Sequence, residues 1–108
     1  MERLLDAGAD VNLTDKGGYS AVMLAASNNH ARVVGLLLKR GANIDQVETT
    51  GGWTALIWAT KLGHRETVDT LLTHQANPGL RDLKGRSALD WAHDQGHQTI
   101  IELLSERG

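Results

Sequence analysis

A chain of 108 residues with 41% hydrophobic and 22% charged side chains is one small folded domain, too apolar to be disordered. Eleven Lys and Arg against thirteen Asp and Glu leave a net charge of -2, with no basic excess to draw the chain to nucleic acid or an anionic membrane. The absence of cysteine excludes disulfides and thiolate metal sites and favours an intracellular, cytoplasmic setting, and no apolar run is long enough to span a bilayer.

The first element, over residues 1–8, reads as a short helix closed by Gly8, with charges where a signal peptide needs an apolar run. Gly17-Gly18 follows as a tight loop tip, and Ser20 is a good N-cap because its hydroxyl can accept a free amide of the next turn. A first helix of about two turns, rich in Ala and Leu, runs from there to Asn29, a residue that tolerates the left-handed conformation of a helix end. A second helix carries Val33, Val34, Leu36, Leu37 and Leu38 on one broad apolar face and closes at Gly41.

The same order then returns twice. Thr54 and Ser87 are the next caps, Gly63 and Gly96 the next terminators, and 68–72 and 100–104 the next apolar second helices. The loop-tip glycines Gly18, Gly52 and Gly85 step by 34 and 33 residues. His30, His64 and His97 share those steps, and Gly8, Gly41, Gln75 and Gly108 step by 33, 34 and 33. The single extra residue falls within 44–51, which must be a loop if the stack tolerates it. Gln75 stands where glycine is expected, and a left-handed conformation there costs roughly 1 kcal/mol.

The Gly-x-[Ser/Thr]-Ala-[Leu/Val] starts, the Asn-His and Gly-His turns, the Leu-Leu runs and the closings Gly8-Ala9-Asp10 and Gly41-Ala42-Asn43 resemble the ankyrin repeat family over nearly the whole chain. The resemblance implies an all-α solenoid of stacked helix–loop–helix units: a half repeat over 1–14, repeats over 15–47 and 48–81, and a C-terminal capping repeat over 82–108. Ala21, Ala55 and Ala88 stand where the family has Pro, and Met23, Ile57 and Asp90 where it has a His that ties the loop. The incomplete first unit reads as a fragment of a longer array, with apolar surface at Met1 and Leu4 for weak self-association of an otherwise monomeric chain. Ser105, Asp90, His93 and Asp94 give the last unit the polar outer face of a capping repeat.

Catalytic chemistry finds no purchase. Equivalent histidines on stacked helices lie about 8–10 Å apart, too far to share a zinc ion at about 2 Å. They read as braces of the turn after each first helix, while His74 and His93 read as solvated. Ser20, Thr54 and Ser87 repeat with the fold, so capping explains them, and the glycine pairs lack the Lys-Ser/Thr of a phosphate loop. No enzyme, metal or cofactor is expected.

Trp58 and Trp91 share the slot of Leu24 in the first helix and are expected to pack between repeats. The resemblance places Tyr19, Trp53 and Arg86 in one row on the concave surface, and these residue types are enriched at binding hot spots. Lys16, Thr50, Leu83 and Lys84 on the loop tips, and Ser27, Asn28, Lys61, Leu62, Asp94 and Gln95 at the first-helix ends, extend that surface. Met23, Ile57 and Asp90 are expected to face the same groove. The mixed chemistry points to a protein or peptide partner, with Trp53 a free anchor whose removal leaves folding nearly unchanged. The competing expectation is a structural spacer within a larger protein whose activity lies elsewhere.

Overall fold

The computed structural model describes residues 14–107; the helix expected over residues 1–8, Gly8, and the self-association surface at Met1 and Leu4 lie outside them. The described residues hold six α-helices: α1 (Ala21–Ser27), α2 (Ala31–Lys39), α3 (Ala55–Leu62), α4 (Arg65–Thr73), α5 (Ala88–Gln95) and α6 (Gln98–Arg107). Each pair α1/α2, α3/α4 and α5/α6 is one helix–loop–helix unit. First helices pack on first helices and second on second, α1 on α3 on α5 and α2 on α4 on α6. Long loops project from the first-helix starts. None of the described helices is long and apolar enough to cross a membrane.

The caps set the boundaries. The hydroxyls of Ser20, Thr54 and Ser87 accept from the amides of Met23, Ile57 and Asp90 at 3.3, 3.2 and 3.3 Å, starting α1, α3 and α5. Asn29, Gly63 and Gly96 take left-handed conformations that end those helices, and Gln75 does so at φ 72. Gly52 is required twice over. Its φ is 72, and an added Cβ would stand 3.1 Å from the Leu83 amide nitrogen of the next loop.

The core is a continuous apolar seam rather than a sphere. Val22, Met23, Ala25, Ala26, Ala55, Leu56, Ile57, Ala59, Ala88, Trp91 and Ala92 are buried from the first helices. Val34, Leu37, Val68, Leu71, Ile100 and Leu104 are buried from the second. The small residues let neighbouring first helices approach, and each unit completes the core of the next, which is how a stack of units too small to fold alone becomes stable.

The histidines brace more than their own turns. His64 Nε2 lies 3.1 Å from the Ser27 carbonyl and His97 Nε2 3.3 Å from the Lys61 carbonyl. Each therefore ties the end of the preceding unit's first helix, so the expected brace is inter-repeat. His93 is exposed, but His74 is half-buried with Nδ1 2.9 Å from the Thr70 carbonyl, where it closes α4 instead of standing in solvent.

Candidate interaction groove

The loops that lead into the first helices are held from below by carboxylates. Asp15 Oδ1 accepts from the amides of Gly17 and Tyr19 at 2.9 and 3.0 Å. Asp82 Oδ1 accepts from Lys84 and Arg86, both at 2.9 Å. Glu48 Oε1 accepts from Gly51 and Trp53 at 2.7 and 2.9 Å, and its other oxygen accepts from the Thr50 hydroxyl. Asp15 and Asp82 each serve an amide four residues on, whereas Glu48 serves one five residues on. The extra residue of the period therefore lies among 49–51, and the extra methylene of Glu48 compensates for the longer loop.

The loops are also tied to one another. The Thr49 amide donates to the Gly17 carbonyl at 2.7 Å and the Leu83 amide to the Gly51 carbonyl at 2.9 Å. The Tyr19 hydroxyl is 2.9 Å from the Thr50 hydroxyl. The indoles of Trp53 and Trp91 both donate to Asp82 Oδ2 at 3.0 Å, and Arg86 Nε stands 3.6 Å from the same oxygen.

Above these carboxylates the rings form one cluster. Trp53 meets Trp58 edge-on at 4.6 Å and Trp91 edge-on at 5.2 Å, and Tyr19 tilts against Trp58 at 5.9 Å. Lys61 Nζ stands 4.8 Å over Trp53 and 5.7 Å from the Trp91 centroid, and the Arg86 guanidinium lies 4.0 Å over Trp91. A cavity of about 330 Å³ opens between the second and third loops, walled by Tyr19, Trp53 and Trp58, with Leu83, Lys84 and Arg86 along its rim.

The row Tyr19, Trp53 and Arg86 thus exists, but its members are half-buried, with Tyr19 and Trp53 bonded to the next loop and Arg86 to Asp82 of its own. Trp53 is no free anchor: its removal strips Asp82 of a donor and two indoles of their neighbour, so a folding cost replaces the neutral effect expected. Met23 and Ile57 are each 1% exposed and belong to the core, not to the groove. In the first two units the side chain at that place packs into the core, and an apolar residue fills the position that a loop-tying His would hold. Asp90 is exposed but engaged: it completes a capping box with Ser87 and pairs with Arg81 at 3.5 Å. Lys16, Asn28, Leu62, Leu83, Lys84, Asp94 and Gln95 are exposed, and Ser27 and Lys61 are half-buried. Trp91 is buried and Trp58 half-buried, whereas Leu24 in the same slot is 51% exposed. Glu48 and Asp82 escaped the sequence reading. Their signal was an acid three residues before the loop-tip glycine, stretched to four in the second loop.

Burial pushes the Glu48 carboxyl up, but the hydrogen bonds from Thr50, Trp53 and Gly51 outweigh it and hold the group down at about 2, from an ordinary 4.5. Asp82 is lowered too: burial raises it, and the donors Arg86, Trp91, Lys84 and Trp53 overcome that. A depressed folded value means that the unfolded chain takes up protons first as pH falls. The stability held by Glu48 is complete above pH 4.5 and is lost progressively as pH falls from there towards 2. Urea unfolding midpoints measured down that range should fall steeply, and the fall should be shallower in Glu48→Gln. An equal slope in both proteins would remove Glu48 as its source.

The sequence matches the ankyrin repeat family in three copies, over residues 1–82 and 51–108. The chain belongs to the ankyrin repeat family. Such repeats are protein-interaction modules. The chain is 40% identical over 80 residues to the ankyrin repeat and SAM domain-containing protein 6 of Mus musculus, covering 74% of this chain and 9% of that protein. It is 32% identical over 104 residues to a putative ankyrin repeat-containing protein of Treponema pallidum, covering 96% of this chain and 35% of that one. It is 41% identical over 89 residues to the E3 ubiquitin-protein ligase XBAT33 of Arabidopsis thaliana, covering 82% of this chain and 17% of the ligase. The chain thus spans between 9% and 35% of the length of these relatives. Ankyrin repeats therefore occur here as segments of larger proteins with unlike names.

Proposed function

We propose that the loop and first-helix face of this ankyrin repeat chain binds a protein or peptide partner, and that this is its biochemical role. The observation that carries the reading is the cavity between the second and third loops, with aromatic walls and Leu83 left 73% exposed on its rim. An apolar side chain with that much exposure is kept at a cost to solubility, and it sits beside rings already fixed in place. Leu24 and Leu62, 51% and 43% exposed on the first helices, extend the apolar character of this face. A surface fixed in advance loses little conformational entropy on binding, which favours affinity.

The second reading is a spacer inside a larger protein, favoured by the small share of its relatives that the chain covers. Placing a photo-crosslinking residue at Leu83, or at the exposed Arg32 of α2, separates the two. Protein adducts formed from position 83 and not from position 32 are the expected result. Adducts from neither, or equally from both, would leave the groove as ordinary surface and favour the spacer.

A further inference from the structure

We infer that the groove takes an acidic peptide segment, with an apolar or aromatic side chain seated in the Tyr19–Trp53–Trp58 cavity and carboxylates facing Lys61, Lys84 and Arg86; this rests on the interaction reading above.

Two of the charges at the cavity are already spent. Glu48 and Asp82 are the acids of the cavity wall, 2% and 6% exposed, and their oxygens are occupied by amides, hydroxyl and indoles of the chain itself. They hold the loops and present no acceptor to a ligand. The cations are placed differently. Lys84 is exposed at the loop tip, Arg86 keeps 36% of its side chain in solvent, and Lys61 lies half-buried across the two indoles. The rim of the cavity is therefore positive, in a chain whose net charge is -2.

The hydrogen-bonding inventory points the same way. Trp58 Nε1 is a buried donor with no hydrogen-bond partner among the described residues, and Arg86 Nε meets only Asp82 Oδ2, at 3.6 Å. The cavity thus carries one unmet donor, a cationic rim and no spare carboxylate, so an occupant bearing acceptor oxygens complements it. The aromatic walls taken alone would also suit a cationic side chain. That occupant is disfavoured because Lys61 already covers Trp53 at 4.8 Å and Lys84 and Arg86 stand on the rim. A second cation would meet like charge where the rings attract it most.

The size of the cavity, about 330 Å³ and open to solvent, fits one large side chain and not a folded surface. An extended segment crossing the loop tips would set that side chain in the cavity and its neighbours near Lys84 on the rim and near Lys61 over Trp53.

The test is selection of random peptides, about a dozen residues long and displayed on phage, against the intact chain. Synthetic copies of the best binders are then titrated at low and high salt. The expected peptides share one Leu, Phe or Trp flanked by Asp and Glu, and bind more weakly as salt rises. They should bind Lys84→Glu roughly fivefold more weakly than wild type, the size of one exposed charge pair, and should lose binding when Leu83→Asp puts a carboxylate on the rim in place of an apolar contact. Lys84 and Leu83 are exposed, and helical circular dichroism checks that both variants fold. Selection of basic or uncharged peptides would overturn the acidic assignment while leaving the interaction reading in place. Acidic peptides indifferent to Lys84→Glu would overturn it equally. No enrichment over the bare support would bring down both readings together.

Discussion

Asp82→Asn is expected to cost this chain about 4 kcal/mol of stability, although it changes one oxygen to an NH2 group of nearly the same size. One oxygen of Asp82 accepts two backbone amides and the other accepts two indole N–H groups, all at 2.9 to 3.0 Å. An asparagine has a single acceptor oxygen. Whichever way it turns, its NH2 faces a pair of donors, and two buried donors lose their partner at about 1–3 kcal/mol each. The Arg86 Nε, 3.6 Å away, loses its counter-charge as well. For a small domain whose whole stability is about 5–15 kcal/mol, such a loss is severe. Urea unfolding followed by tryptophan fluorescence would measure it, and near-UV circular dichroism should show the indoles losing their fixed environment. A loss below about 1 kcal/mol would mean that the loops are held by apolar packing and that the carboxylate is incidental.

The second large effect concerns loop length. Glu48→Asp shortens the reach by one methylene and draws the carboxylate away from Gly51, Trp53 and Thr50. Deleting Thr50 shortens the loop without shortening the acid. Each change alone is expected to cost about 2 kcal/mol through amides or a charge left poorly paired. Together they recreate the Asp-x-Gly-Gly-aromatic loop that Asp15, Gly17, Gly18 and Tyr19 already form in the preceding unit. The combined variant should therefore return to within about 1 kcal/mol of the parent, the remainder being the lost contact between Thr50 and Tyr19. Additive losses in the double variant would show that the longer side chain and the longer loop are unrelated.

The fold was legible because its signals are local and repeated. A cap hydroxyl, a terminator and an apolar face recur at Ser20, Asn29 and Val34, at Thr54, Gly63 and Val68, and at Ser87, Gly96 and Ile100, so each instance corroborates the others. The groove was legible only in part. Position along the unit located Tyr19, Trp53, Arg86 and Leu83 but could not say what the polar ends of Tyr19 and Trp53 touch, since those contacts cross between units 29 to 31 residues apart. Met23 and Ile57 lie in the core and not in the groove because variation at that place of the unit does not imply exposure: the first two units fill it with a buried apolar residue, and only Asp90 of the third is exposed. Leu24 was missed for the converse reason: the slot that holds Trp58 and Trp91 against their neighbours leaves a leucine in the first unit 51% exposed.

The two edges of this stack are joined by different kinds of force. Second helices meet mainly through apolar side chains, whose attraction is non-directional. The loops meet through short directional bonds: Thr49 to Gly17, Leu83 to Gly51, Trp53 to Asp82. A flexing stack therefore has its stiff fibre at the loop edge and its compliant one along the outer helices. The spacing between loop tips stays nearly constant while the rest of the solenoid breathes, and the groove behaves as a ruler of fixed pitch mounted on a spring.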